Sequence, residues 1–133
     1  MTLTVKSLDE ERRRAAIRTI PQPSDLNVNG NIFGGWVLSQ MDLAGADAAS
    51  RIAGGPVATV AIDGMKFHQP IELGDVISIY ADIEKTGRTS VTVKLEVYAE
   101  RGVERTLHQV TEGRYIFVAI DKNGRPTPLR NAE

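Results

Sequence analysis

Hydrophobic and polar residues alternate most regularly near the middle of the chain, over residues 90–100. Residues 76–84 show the same alternation, and residues 115–120 are apolar at nearly every position. A period of two is typical of a strand with one buried face, and a continuous apolar run is typical of a strand at the centre of a sheet. Short turns at Gly87-Arg88 and Arg101-Gly102 separate these stretches. The pattern therefore predicts an antiparallel meander.

Less regular stretches precede this meander. Residues 15–20 predict a short strand, and the β-branched run at residues 57–62 predicts a buried one. Residues 65–71 are ambiguous, because Pro70 limits pairing there. Residues 21–31 are dense in Pro, Asn, Asp and Gly and predict a long loop, a feature that is often functional in a compact domain.

The stretch from Gly34 to about Ala53 predicts the one substantial helix. At 100° per residue its apolar side chains fall within an arc of about 140°, namely Val37, Leu38, Met41, Ala44, Gly45, Ala48 and Ala49. Gln40, Asp47 and Arg51 lie on the opposite side and should face water. Because small residues dominate the arc, another element must pack very close to it. The sequence thus predicts an α+β domain in which a sheet curls around one helix.

Composition narrows the class of protein. A chain of 133 residues suits a single domain over 1–133, with 1–12 and 122–133 as peripheral tails. The formal net charge of −1 does not favour nucleic acid, and the absence of cysteine excludes disulfides and thiolate chemistry. Residues 1–14 lack the apolar core of a secretory signal, and no apolar run approaches the ~20 residues of a membrane span. We expect a cytoplasmic protein that binds neither nucleic acid nor membrane.

Several familiar catalytic patterns are missing. The chain has no Walker-type phosphate loop, no GxGxxG and no GxSxG elbow. Its two histidines, His68 and His108, are far apart in sequence and have no metal-binding spacing. We therefore expect neither a metal site nor a serine hydrolase.

Asp42 is the strongest candidate for chemistry. On the helical wheel it borders the apolar arc, about 160° from the solvent-facing group. A carboxylate on the buried side needs a partner or a role, because desolvating an ion is costly. Asp42 could act as a general base or nucleophile, or it could simply hydrogen-bond neighbouring loop amides. Ser39, one turn earlier, could orient it.

Two glycine-containing segments are further candidates. At Gly34-Gly35, first-turn N–H groups without intrahelical acceptors could stabilise an oxyanion, although the pair could equally serve a tight entry into the helix. The stretch 85–90, Lys-Thr-Gly-Arg-Thr-Ser, suits contact with a phosphate or pyrophosphate, but most such hairpins are only turns.

Residues 23–42, PSDLNVNGNIFGGWVLSQMD, closely resemble the signature of YciA-type acyl-CoA thioesterases, which belong to the hotdog-fold acyl-CoA hydrolases. The likeness spans about residues 18–128. It continues through Thr59–Ala61, Met65–Phe67, Pro70, Gly74–Val76, Gly87–Ser90 and Phe117–Asp121. Leu26 and Asn31 depart from the residues common in the family, and neither departure removes a reacting group.

The resemblance implies an antiparallel sheet wrapped around one long central helix and the hydrolysis of acyl-CoA to a carboxylic acid and CoA. It implies that Asp42 is the catalytic carboxylate and that Asn27, from the neighbouring subunit, reaches the same site. Amides near Gly35 and Trp36 would polarise the carbonyl. The residues implied to contact substrate or CoA are Gly87, Arg88, Thr89, Ser90, Asn29, Phe33 and Ser39.

The family assembles as dimers, often as trimers of dimers, and uses no cofactor, because CoA is part of the substrate. Two other functions stay open: a non-catalytic acyl-CoA-binding module, and a hydratase with His68 as its base. The sequence does not determine the preferred acyl chain length, since small changes in a pocket alter selectivity only modestly.

Overall fold

The computed structural model describes residues 15–130, which form one five-stranded sheet and one long helix. The predicted tail 1–12 and residues 131–133 of the second tail lie outside the described residues. In chain order the elements are β1 (Ile17–Thr19), a 3₁₀ turn (Pro23–Asp25), α1 (Gly34–Ala53), β2 (Val57–Phe67), β3 (Val76–Thr86), β4 (Ser90–Arg101) and β5 (Thr106–Ala119). The sheet order is β1-β3-β4-β5-β2, and every neighbouring pair is antiparallel.

The predicted meander is confirmed, and β4 lies at its centre. The inward-facing residues of β4 are fully buried, namely Val91, Val93, Leu95, Val97 and Ala99. Strand β5 begins at Thr106, well before the predicted start at Tyr115. Residues 106–114 are mostly polar, so their hydrophobic pattern is weak, but the backbone pairs with β4 from Arg101↔Thr106 onward.

The helix has the predicted bounds and packs very close to the sheet. Gly54 ends it in the left-handed conformation, with φ 73°, and donates its N–H to the carbonyl of Ser50. A Cβ atom on Gly45 would lie 2.9 Å from the Phe117 ring and 3.1 Å from Leu95. Glycine at position 45 therefore sets how closely the helix approaches β4 and β5.

Strand β2 is a single irregular strand at an edge of the sheet. It replaces the separate stretches 57–62 and 65–71 of the prediction, and Pro70 lies beyond its end. Its register with β5 shifts at two places, and Gly64 has φ 61°. Three large apolar side chains of β2 are about half exposed: Val60 at 58%, Ile62 at 48% and Phe67 at 57%. Such an edge is a template for pairing with another chain.

Backbone hydrogen bonds tie the connecting segments to this frame. Ile32 in the long loop donates to the carbonyl of Ile71. Near the end of the described residues, Leu129 donates to Arg88 and Arg130 donates to Ala53. Among residues 15–130, no helix is long and apolar enough to span a membrane.

Candidate active site

Asp42 lies half-buried on α1 and is held by a residue of β2. The Thr59 hydroxyl donates to Asp42 Oδ1 at 2.6 Å. This position matches the predicted edge of the apolar arc. Because one carboxylate oxygen accepts from Thr59, the other is oriented and can accept from a water molecule.

The prediction that Ser39 could orient Asp42 is wrong, because a different side chain donates to this carboxylate. The Ser39 hydroxyl donates to the carbonyl of Trp36 at 2.8 Å, within its own helix. The residue that donates to Asp42 is Thr59, 17 positions away in sequence. The sequence pattern does not single out Thr59, because a threonine within a run of β-branched residues is typical of a structural strand position.

Tyr115 secures the helical turn that carries Asp42. Its side chain is fully buried, and its hydroxyl donates to the carbonyl of Leu38 at 2.7 Å. In an α-helix the same carbonyl accepts the N–H of Asp42. Burial raises the pKa of Tyr115 to about 12, and the negative charge of Asp42 contributes. The phenol therefore stays a neutral donor at physiological pH.

The helix begins without a side-chain cap. Phe33 is its N-cap residue, and no side chain of the described residues caps the first turn. The Trp36 N–H already donates to the carbonyl of Phe33 at 3.1 Å, and the indole is buried. The predicted use of the Trp36 amide for a substrate carbonyl is therefore not favoured. The exposed Gly35 N–H, one residue earlier, is better placed for that role.

The long loop orders Asn27 through its own side chain. Asn27 Oδ1 accepts the N–H of Asn29 at 2.8 Å and that of Asn31 at 3.1 Å. With the oxygen engaged, the exposed amide nitrogen is the part of Asn27 that can contact a ligand, and it can only donate. Phe33 ends the loop with its ring against Gly35 and 41% exposed.

The hairpin Gly87–Ser90 lies at the same end of the sheet as Thr59. Gly87 donates its N–H to the carbonyl of Ser90 at 2.8 Å, and Arg88 is exposed. The register places Val91, Phe117 and Thr59 in one row across β4, β5 and β2. A ligand bound at the hairpin can therefore extend along the sheet towards Asp42.

The helix N-terminus lies towards the opposite end. A Cβ on Gly34 would be 3.7 Å from the Phe67 ring, and a cavity of about 310 Å³ opens between these elements. Gly35 and Asp42 share a helix face but are about 10 Å apart along the axis. One chain thus holds the carboxylate near one end of β2 and the free amides, with the Asn27 loop, near the other.

His68 forms a pair on the outer face of the sheet. Its Nε2 lies 2.7 Å from Glu112 Oε2, and this contact is the main reason that the pKa of Glu112 is lowered. Lys66 and Lys94 also face Glu112. Among residues 15–130, no group of three His, Asp or Glu side chains could hold a metal ion.

Comparison with known proteins finds close relatives. The family model of the thioesterase superfamily matches residues 29–106. The acyl-CoA thioester hydrolase YciA of Salmonella typhimurium is 44% identical over 116 residues, which cover 85% of this chain and 87% of that protein.

Solved structures agree with this likeness. The hexameric thioesterase of Yersinia pestis superposes with a TM-score of 0.83 at 44% identity, covering 87% of this chain and 94% of that one. A hexameric hotdog fold thioesterase of Campylobacter jejuni superposes with a TM-score of 0.84 at 37% identity, covering 88% and 90%. The folds match along nearly the whole described length.

Proposed function

Because this chain belongs to the thioesterase superfamily and is a hotdog-fold acyl-CoA thioester hydrolase, we propose that Asp42 is the carboxylate that drives the hydrolysis. The observation that carries the proposal is the 2.6 Å hydrogen bond from Thr59, which fixes a half-buried carboxylate at the inner face of β2.

Asp42 acts as a general base in this mechanism. Its free oxygen takes a proton from water, and the water oxygen attacks the thioester carbonyl carbon. The Gly35 N–H and the amide of Asn27 donate to the carbonyl oxygen as it becomes an oxyanion. When the intermediate collapses, the carbon–sulfur bond breaks and the leaving CoA thiolate takes the proton that Asp42 holds. The carboxylic acid, CoA and the Asp42 carboxylate remain.

The working site contains residues of two subunits. Thr59 and Phe67 are about 26 Å apart along β2 at 3.3 Å per residue. If β2 pairs antiparallel with its copy about a two-fold axis near its middle, Thr59 of one chain meets the Phe67 end of the other. That pairing brings the partner subunit's Asn27 and the partner subunit's Gly35 to Asp42, which explains why one chain separates these groups.

The exposed β2 edge supports this dimer, because Val60, Ile62 and Phe67 are apolar and a long uncovered edge strand favours pairing. The relatives from Yersinia pestis and Campylobacter jejuni are hexameric. We infer that this chain also forms a hexamer, made of three such dimers. Its substrate is acyl-CoA, and the residues Gly87–Ser90 hold the CoA moiety. A cytoplasmic location and the absence of a cofactor stay predictions.

Replacing Asp42 by asparagine tests the mechanism. We expect kcat on a medium-chain acyl-CoA to fall about 10²–10⁴-fold, the usual contribution of a general base, with little change in KM. Thiol release measures turnover, and circular dichroism verifies the fold. Calorimetric titration should show that the variant still binds CoA, which separates lost chemistry from lost binding.

Asp47→Asn is the matched control, because Asp47 is an exposed carboxylate on the same helix that pairs with Arg51. It should keep wild-type kcat. Near-native turnover in Asp42→Asn would refute the role of Asp42.

A further inference from the structure

An arginine at the end of β4 is joined to a buried aspartate just before β3. Arg101 donates from Nε to Asp75 Oδ1 at 2.9 Å and from Nη2 to Asp75 Oδ2 at 2.8 Å. The Asp75 side chain is 1% exposed and that of Arg101 is 23% exposed. Two parallel hydrogen bonds between a planar guanidinium and a carboxylate fix both side chains in one geometry. The pair is therefore a rigid connection between the two strands.

This pair holds the residues on both sides of Ile71, in the segment that leads from β2 to β3. Arg101 Nη2 also donates to the carbonyl of Pro70 at 3.0 Å. On the other side, Asp75 Oδ2 accepts the N–H of Glu72 at 2.9 Å. Ile71 itself is 4% exposed. Because its neighbours are bound and its side chain is packed in the core, the carbonyl of Ile71 has little freedom to move.

The carbonyl of Ile71 is the point at which the long loop is attached. It accepts the N–H of Ile32 at 2.9 Å. In the part of the chain that the structure describes, the other backbone hydrogen bonds of residues 25–33 stay within the loop, its 3₁₀ turn and the start of α1. The position of the loop relative to the sheet therefore depends on this one backbone contact.

A short hairpin links this attachment to Asn27. Leu26 forms an antiparallel bridge with Ile32, and the next residue, Asn27, donates its N–H to the carbonyl of Asn31 at 2.7 Å. Asn27 is thus bound to residues that are adjacent to Ile32. A shift of Ile32 therefore moves the side-chain amide of Asn27 with it.

We propose that Arg101 is a positioning residue for the hydrolysis, which together with Asp75 sets where the amide of Asn27 stands. The inference rests on the proposed function, because it takes that amide as a donor to the oxyanion in the site of the neighbouring subunit. Misplacing such a group by about 1 Å can cost about 10²-fold in rate. The ion pair thus acts on turnover through the loop, without touching the substrate.

Lysine should not replace arginine in this role. Its ammonium group is a point charge that can stay beside Asp75, but it lacks the planar fork that binds both carboxylate oxygens while another N–H reaches Pro70. Arg101→Lys therefore keeps a cation next to the buried carboxylate, which limits the loss of stability. The same change frees the segment around Ile71.

Steady-state kinetics of the oligomeric enzyme on octanoyl-CoA, followed by thiol release, test the proposal. We expect kcat of Arg101→Lys to fall about 10–100-fold. KM should stay within about twofold of wild type, because an oxyanion donor acts in the transition state and not on the bound ester. Circular dichroism verifies the fold. Arg105→Lys is the matched control, since Arg105 is exposed in the turn after β4, and it should keep wild-type kcat and KM.

A second background separates positioning from a general loss of stability. Asn27→Asp keeps the oxygen that accepts the N–H groups of Asn29 and Asn31, and it removes the donor. If Arg101 acts by placing that donor, Arg101→Lys should lower kcat of the Asn27→Asp enzyme by less than about threefold. A pair that only stabilises the fold would lower kcat by the same factor in both backgrounds, and that result overturns the proposal.

Two other results also overturn it. Wild-type kcat in folded Arg101→Lys would show that the loop does not depend on the fork, and wild-type kcat in Asn27→Asp would show that the loop supplies no donor. If Arg101→Lys does not fold, Asp75→Asn gives the same measurement with the same expected fall, because its amide nitrogen cannot accept a hydrogen bond. Asp42→Asn tests the general base separately, so failure of the proposed mechanism is distinguished from failure of the positioning role.

Discussion

At the scale of single residues, the carboxylate depends on two hydroxyls that come from the sheet. Thr59 contacts Asp42 directly, and Tyr115 contacts the carbonyl of Leu38 to which the Asp42 amide is also bound. A buried hydroxyl without an acceptor would be destabilising, so the hydrogen bond from Tyr115 is kept. It joins β5 to the helical turn that carries Asp42 and so fixes the position of that turn.

The raised pKa of Tyr115 predicts a pH dependence of stability. Since the folded pKa is about 12 and the unfolded one about 10, the folded state holds this proton more tightly. The resulting stabilisation, about 2–3 kcal/mol, is present below pH 10 and is lost as the pH rises from 10 to 12.

Urea unfolding of wild type and Tyr115→Phe at pH 8 and pH 11.5 measures this effect. The free energy of unfolding should fall more with pH in the wild type than in the variant, which has no phenol to ionise. Equal falls in the two proteins would contradict the buried position of the hydroxyl.

At the scale of elements, the contact between α1 and the sheet depends on Gly45. Alanine is favoured over glycine inside a helix by about 1 kcal/mol. Here a Cβ would lie 2.9 Å from Phe117, whose ring is buried and stacked on Tyr115. Overpacking of a core costs about 1–3 kcal/mol, so it should outweigh the gain in helix propensity.

We therefore expect Gly45→Ala to lower the free energy of unfolding by about 1–2 kcal/mol. Chemical denaturation measures the change. Ser50→Ala, at a half-buried position of the same helix, reports the effect of alanine without the clash. A Gly45→Ala protein more stable than wild type would mean that the sheet yields more easily than the contact distances indicate.

At the scale of the whole molecule, activity should depend on assembly through β2. A lysine at Ile62 places a charge on the exposed edge and should prevent pairing. We expect sedimentation velocity to show loss of the dimer. Turnover should fall at least about 100-fold, as expected when an oxyanion donor is removed from the site.

Val103→Lys serves as the comparison, since Val103 is 97% exposed in the turn between β4 and β5. It should leave both assembly and turnover unchanged. A monomeric Ile62→Lys enzyme with full activity would show that one chain suffices for the reaction.

Local periodicity in the sequence determined the bounds of α1, the meander of β3 to β5 and the position of Asp42 at the edge of the buried face. These features repeat every two or every 3.6 residues, so neighbouring residues suffice to reveal them. The resemblance to the thioesterases rests mainly on residues 23–42. These residues are consecutive, so the motif is visible in the sequence itself.

The tertiary structure alone decided which groups hold the carboxylate and what cavity opens beside the helix N-terminus. Thr59 is 17 and Tyr115 is 77 positions from the residue that each one contacts, and no local pattern encodes such pairs. The cavity volume likewise follows from how closely a helix, a strand end and a loop approach one another. That approach is set by side-chain packing between distant segments, and among the glycines of α1 it is Gly45 that leaves the least room for a Cβ atom.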